Sequence, residues 1–252
     1  MKINKFKKVG TNKYRIYFDN NSLLLYEDVI LKYNLLYKKE IDSDLLIEID
    51  EENKKSSIYD TALKYISVRM RSIKEMKEYL IKKKFNTNDI DKTIDKLIYQ
   101  GLLNDKSFAK SYVNDKIHLT NNGIDKIKSD LEKLGVEKEY IDEAISTIDK
   151  GLLLDKLNKI IEKEVKLNTK LPISKMKNKI INRCINLGYK IEDINNILLN
   201  YELISTSNIK NDYDKLYNKY KDKYDTYKLK NTLRSKLYQK GYSIDEINKI
   251  ID

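Results

Sequence analysis

The chain has no tryptophan, one cysteine, one proline and seven glycines among its 252 residues. A single cysteine excludes an internal disulfide and points to a reducing, cytoplasmic setting. No run of about 18 uncharged apolar residues occurs, so no membrane span is expected. Met1 to Lys8 carries four lysines with no apolar stretch behind them, which is not the form of a secretory signal. A phosphate-binding glycine loop, a paired zinc motif and a nucleophile elbow are all missing. Neither a catalytic site nor a cofactor nor a metal site is therefore expected.

What is present is charge. Lysine and arginine number 50 against 39 acidic residues, for a net charge of +11. That surplus invites a nucleic-acid reading. Lysine supplies 45 of the 50, however, alongside abundant Asn, Ile and Tyr, as an AT-rich coding sequence would produce for any function. The surplus is spread along the chain rather than gathered in a tail. It is largest in residues 151–200, with ten basic and five acidic residues, and it reverses in 101–150, with eight against ten.

An internal repeat organises the sequence. Four segments align without gaps on a helix-stop signal: Lys84-Phe85, Gly135-Val136, Gly188-Tyr189 and Gly241-Tyr242. Four positions before the stop stand Leu80, Leu131, Cys184 and Leu237, and eight before it Met76, Ile127, Ile180 and Leu233. Six after it come Ile90, Ile141, Ile194 and Ile247, and ten after it Ile94, Ile145, Leu198 and Ile251. Apolar residues four apart share one helix face. Glycine beyond a last turn accepts the left-handed conformation, and the next apolar residue folds back over it. Each segment thus predicts two helices, and a leading helix completes a three-helix unit. The leading helices are expected near Ile58–Arg69, Lys106–His118, Lys156–Lys166 and Tyr213–Tyr227.

Ser72 with Glu75, and Ser243 with Glu246, have the capping-box form. Gly101-Leu102-Leu103-Asn104-Asp105 and Gly151-Leu152-Leu153-Leu154-Asp155 resemble each other, and both read as connectors closing one helix and opening the next. Ahead of the repeats, Lys13–Phe18 and Ser22–Tyr26 flank Asp19-Asn20-Asn21 as a β-hairpin, with Ile3–Val9 as a third strand. A short helix near Asp28–Tyr33 and a longer one from Asp42 to Arg69 follow. The expectation is a mainly α protein: tandem three-helix units in an elongated, curved array with a small β-containing N-terminal cap. The sections are 1–41 (cap), 42–100, 101–150, 151–204 and 205–252.

His118, the only histidine, has no ligand partners at metal-binding spacing and reads as a helix-end residue. Cys184 stands where other copies have leucine and reads as core. Tyr213, Tyr217, Tyr220, Tyr224 and Tyr227, spaced 4, 3, 4 and 3 apart, read as a packing seam on one helix. The other reading of the seam is a base-stacking surface among interleaved lysines. The basic candidates for partner binding are Arg69 and Arg71, flanking the turn between two helices, and Lys82, Lys83 and Lys84 at a helix C-terminus. There they complement the helix dipole, or they meet an acidic protein surface or a phosphate backbone.

The stretch Ala62–Met76 resembles the opening signature of the RecX regulators of the RecA recombinase. Gly101-Leu102-Leu103-Asn104-Asp105-Lys106-Ser107-Phe108-Ala109 is similar to that family's glycine, aliphatic, acidic and Phe-Ala pattern, and the likeness runs through Tyr112, Lys116, Gly123, Ile127, Leu131 and Gly135-Val136. The N-terminal hairpin is similar to the extension of longer members. The resemblance implies a regulator that binds RecA and its filament on single-stranded DNA, restraining filament growth, ATP hydrolysis and strand exchange; separately, a non-enzymatic monomer is expected. Direct DNA contact is expected to be weak, and the alternative is a freestanding nucleic-acid-binding protein. Lys116 joins the candidate partner-binding residues on this likeness, although arginine is common at its position, so a bidentate contact is weakened. Lys84 stands in place of the family's glycine, and its cap is expected to be looser or differently closed.

Overall fold

The computed structural model describes residues 1–18 and 21–251. Asp19 and Asn20 of the expected hairpin turn lie outside the described residues. Strands β1 (Ile3–Lys8), β2 (Lys13–Phe18) and β3 (Ser22–Tyr26) form one antiparallel sheet in that order. Ile16 lies opposite Phe6 on one side and Leu23 on the other. Alternate side chains point to opposite faces, so Ile16 and Phe18 are buried while Arg15 is exposed. Helix α1 (Glu27–Lys32), a 3-10 turn (Leu35–Tyr37) and the start of α2 (Ser43–Ile66) complete this small body. Its core holds Ile16, Leu25, Val29, Ile30, Leu35 and Ile49.

Helix α2 serves two cores at once. Ile49 packs under the sheet, whereas Ile58 and Ala62 join Met76, Leu80, Ile90, Ile94, Leu97 and Leu103 further on. Polar clamps hold it against β3. The Asn53 side chain accepts from the Tyr26 N–H at 3.0 Å and donates to the Leu24 carbonyl at 3.0 Å, imitating a neighbouring strand. The Ser56 hydroxyl donates to Asp28 at 2.8 Å.

Eleven further helices follow among the described residues: α3 (Ile73–Lys82), α4 (Thr87–Tyr99), α5 (Asp105–Leu119), α6 (Ile124–Lys133), α7 (Lys138–Ser146), α8 (Lys150–Leu167), α9 (Ile173–Asn186), α10 (Ile191–Leu198), α11 (Ile209–Tyr220), α12 (Thr226–Lys240) and α13 (Ile244–Ile251). The chain forms two compact units, one of residues 1–109 and 132–141, the other of 110–131 and 142–252. Of the sixteen apolar positions of the repeat, fifteen are buried, and only Ile145 is half-buried. Full burial of one such side chain contributes roughly 1.5–3 kcal/mol, so the ladder is a principal source of stability.

The four stops close alike. Lys84, Gly135, Gly188 and Gly241 have φ of +65°, +80°, +86° and +97°. Each N–H donates to the carbonyl three residues back, at 2.8 to 3.0 Å. Phe85, Tyr189 and Tyr242 add the longer bond to the carbonyls of Leu80, Cys184 and Leu237, completing the Schellman pattern. The looser cap expected at Lys84 is therefore corrected. The same two backbone bonds form there, and lysine occupies the left-handed region against its steric preference.

One joint recurs three times. The start of α3 meets the end of α6, where the Ser72 hydroxyl donates to the Leu134 carbonyl at 2.8 Å and Lys74 Nζ to that of Lys133 at 2.9 Å. The start of α6 meets the end of α9, with the Gly123 N–H donating to Leu187 at 2.6 Å and the Asp125 N–H to Gly188 at 3.1 Å. The start of α9 meets the end of α12 through Lys175, which packs on Gly241. Each joint sets a helix start against a helix end, with the dipoles in the favourable sense, and at the second joint orphan backbone donors meet the terminal carbonyls directly.

Two expectations fail locally. Gly151 is not a connector. It sits in the first turn of α8, which starts at Lys150, and the Asp149 side chain caps that turn by accepting from the Gly151 N–H at 2.8 Å. The Tyr213–Tyr227 helix is broken as well. Helix α11 ends at Tyr220, and Asp225 starts α12 by accepting from the Lys228 N–H at 2.8 Å. Tyr213, Tyr220 and Tyr224 still pack on the core of Leu229, Leu233 and Leu237, whereas Tyr227 stands 80% exposed.

Candidate partner-binding surface

The turn between α2 and α3 is short, and the Ser72–Glu75 capping box fixes where α3 begins. The Ser72 hydroxyl accepts from the Glu75 N–H, and the Glu75 carboxylate accepts from the Ser72 N–H. The same carboxylate gathers both arginines. Arg69 reaches it through two guanidinium nitrogens, at 2.6 and 3.3 Å, and Arg71 lies 3.8 Å away. The two arginines consequently organise the turn from within.

Arg71 goes further into the structure. Its side chain is only 12% exposed. The guanidinium carbon lies 3.8 Å from the centre of the Tyr65 ring, and Nε donates to the Tyr65 carbonyl at 3.3 Å. Tyr65 stacks on Tyr79 with centroids 3.8 Å apart and planes 8° from parallel. Lys83 Nζ stands 5.4 Å from the Tyr79 ring. Arg71, Tyr65, Tyr79 and Lys83 thus form one cation–ring–ring–cation pile linking α2 to the end of α3.

The outer surface of this turn is mixed. Val68 is 78% exposed and Met70 is also exposed, flanking the half-exposed Arg69. At the far end of α3, Lys82, Lys83 and Lys84 are all exposed. Among the described residues neither Lys82 nor Lys84 has an ion-pair partner. Five of the six candidate residues therefore lie on one helix and its two flanks. The sixth, Lys116, belongs to the other compact unit. It lies half-buried on α5 with Nζ 5.0 Å from the Tyr112 ring.

Other candidates fall where the sequence put them. His118 is exposed near the end of α5, with Nδ1 2.8 Å from the Asn114 carbonyl. Cys184 is fully buried, and burial pushes its thiol up to about 11, which suppresses the thiolate that reactive cysteines need. Among the described residues no group of His, Cys, Asp and Glu could hold a metal ion. No helix there is long and apolar enough to cross a membrane. The exposure of Val68 and Met70 carries no signal in the sequence. Helices α9 and α12, outside the sequence candidates, carry four and five cations and no carboxylate. The missing acidic residues were the signal.

Comparison with known proteins agrees with this architecture. The first three-helix domain of RecX matches residues 59–97, and the second matches residues 104–145. The chain is 30% identical over 257 residues to Regulatory protein RecX of Streptococcus thermophilus (strain CNRZ 1066), covering 98% of this chain and 97% of that protein. It is 30% identical over 241 residues to Regulatory protein RecX of Lactococcus lactis subsp. lactis (strain IL1403), covering 92% and 89%. Among solved structures, RecX from Lactobacillus salivarius superposes with a TM-score of 0.55 at 27% identity, over 61% of this chain and 99% of that one. A further crystal structure of regulatory protein RecX gives 0.64 at 22% identity, over 78% and 98%, and speaks for the fold alone. On sequence and architecture together, the chain belongs to the RecX family.

Proposed function

We propose that the chain regulates RecA by binding the protein and its filament on single-stranded DNA, lowering ATP hydrolysis and strand exchange. It acts by occupancy rather than by chemistry, as a cytoplasmic monomer. The observation that carries this reading is the near full-length match to proteins named as regulators. The α2–α3 turn and the end of α3 form the first contact. Val68 and Met70 supply an apolar spot, and Arg69, Lys82, Lys83 and Lys84 a basic rim suited to an acidic protomer surface. Arg71 positions that rim, and Lys116 offers a second contact on the other compact unit. Two modest contacts joined by one chain reinforce each other through effective concentration. The helical sections at 42–100, 101–150, 151–204 and 205–252 are the working modules of this reading.

The test is RecA's DNA-dependent ATPase, titrated with purified protein. Inhibition at less than one molecule per protomer is expected. An unchanged rate at saturating protein rejects the proposal.

A further inference from the structure

Two helices of the second compact unit, away from the α2–α3 turn, carry cations without a single carboxylate of their own. Helix α9 carries Lys175, Lys177, Lys179 and Arg183 over fourteen residues with no Asp or Glu. Helix α12 carries Lys228, Lys230, Arg234, Lys236 and Lys240 over fifteen, again with none. The other lysine-bearing helices also carry carboxylates, as on α6, where Asp125, Asp130 and Glu132 interleave with Lys126, Lys128 and Lys133. Arg183 pairs with Glu164 at 3.2 Å and Lys240 with Asp212 at 2.6 Å, while the other lysines of the two helices leave a net positive field. The two helices also adjoin, since Lys175 in the first turn of α9 packs on Gly241 at the end of α12.

The outer faces are built of residues that suit a polynucleotide. On α9, Asn178, Asn182 and Asn186 follow one another at helical spacing, all exposed, beside Lys175, Lys179 and Arg183. These side chains border an open groove together with Glu164, whose carboxylate holds Arg183. On α12, Leu229, Leu233 and Leu237 face the core. The opposite stripe exposes Tyr227, Asn231 and Tyr238, spaced 4 and 7 apart. Tyr227 is 80% and Tyr238 63% exposed, so neither ring is needed for packing. Lys177 and Lys230 are exposed, and among the described residues neither has an ion-pair partner. An acidic protein surface would satisfy the cations alone. It gives no reason for two bare tyrosines on a carboxylate-free helix, whereas stacked bases do.

We infer that the outer faces of α9 and α12 bind a single nucleic-acid strand, with lysines and asparagines along its backbone and Tyr227 and Tyr238 stacked on its bases. This surface works without RecA, so its success or failure is separate from that of the regulatory reading.

The experiment measures fluorescence anisotropy of a labelled oligo-dT of about 30 nucleotides against the full-length chain, from about 50 to about 200 mM salt. The wild type binds with a steep salt dependence. The variant K177E/K228E/K230E weakens binding at least about tenfold and flattens the slope of log affinity against log salt by about 2, one phosphate contact for each lysine. Y227A/Y238A weakens binding by about fivefold or more and leaves the slope unchanged. Thermal melts verify that both variants fold. Absence of wild-type binding at the lowest salt overturns the inference, as does an unaltered slope in the folded triple-lysine variant. Displacement of the DNA by poly-glutamate at equal charge also overturns it, because the surface would then be selecting charge alone.

Discussion

Gly123 and Gly188 cross so closely that a β-carbon on Gly123 would stand 2.4 Å from the Gly188 carbonyl oxygen. The obstacle is backbone, so no rotamer change relieves it. Gly123→Ala is expected to destabilise the second compact unit by about 2 kcal/mol or more, read as a fall in the urea midpoint. The contrast is Gly151→Ala, where the added atom would meet only the Asp149 side chain, at 3.2 Å and beyond, in a helical first turn. That variant should unfold near the wild-type midpoint. Equal midpoints for the two would refute the joint's tightness.

Lys84 offers the opposite opportunity. It holds a left-handed backbone that the other three repeats assign to glycine. Lys84→Gly relieves steric cost at that residue while losing some unfolded-state restraint, for a net gain of about 0.5–1 kcal/mol. A lower melting temperature would show that the lysine stem contributes packing that outweighs its strain.

The two arginines of the α2–α3 turn should separate in their effects. Arg71→Ala strips the cation from the Tyr65–Tyr79 stack and should cost about 1–2 kcal/mol of stability. Arg69, half-exposed, should contribute less than about 1 kcal/mol. Under the proposed function, R69E and K82E/K84E reduce co-sedimentation with RecA filaments while melting near the wild type. Full binding by both folded variants would move the contact elsewhere.

Acid should act through Asp212. Burial alone would raise its carboxyl pKa, but hydrogen bonds from Lys240 at 2.6 Å and the Tyr242 hydroxyl at 3.0 Å outweigh burial and hold it below the usual value. A depressed native pKa gives stability that is complete above the unfolded value, about 4, and is lost as pH falls through the native one. Asp212→Asn should therefore flatten the decline in stability below about pH 4.5. An identical acid profile for wild type and variant would exclude this carboxylate as a contributor.

Asp105 has the reverse sign. Burial raises its carboxyl, the Ile73 N–H donating to it at 2.9 Å lowers it, and Glu137 and Glu75 raise it further. The fold disfavours the charged form relative to the unfolded chain, so stability from this group is complete below the unfolded value, about 4, and is lost as pH rises through the native one. Asp105→Asn keeps an acceptor for the Ile73 N–H and removes the charge. It should raise the melting temperature at pH 7 relative to wild type. A drop at that pH would mean the carboxylate has a partner worth more than its desolvation.

Much of the fold was legible in the sequence because the repeat reports burial directly. Met76, Leu80 and Ile90 keep their spacing in each later copy, and that spacing is the geometry of a helix, a left-handed stop and a second helix. The alternation around Ile16 likewise disclosed the hairpin. What escaped was local competition. The tyrosine spacing stayed helical through Lys221–Asp225, and only Asp225 as a cap marked the break. Gly151 looked like Gly101, yet Asp149 two residues earlier made it helical. Of the candidate surface, the positions of Arg69 and Arg71 were evident, and the Glu75 capping signature was a clue to their pairing. Their stacking on Tyr65 and Tyr79 was not, because it depends on how α2 and α3 cross.

Helix α9 is held at both extremities, by Gly241 of α12 near Lys175 and by Gly123 of α6 at Leu187 and Gly188. It therefore behaves as a ruler of fixed length, about 20 Å for its fourteen residues. Adding one residue within it would rotate everything beyond by about 100° and pull one glycine out of register with its neighbour. Between Tyr201, which bonds Asn158, and Ser205, which bonds the Leu171 carbonyl, the chain is irregular, so an insertion at Glu202–Ile204 shifts no helical register.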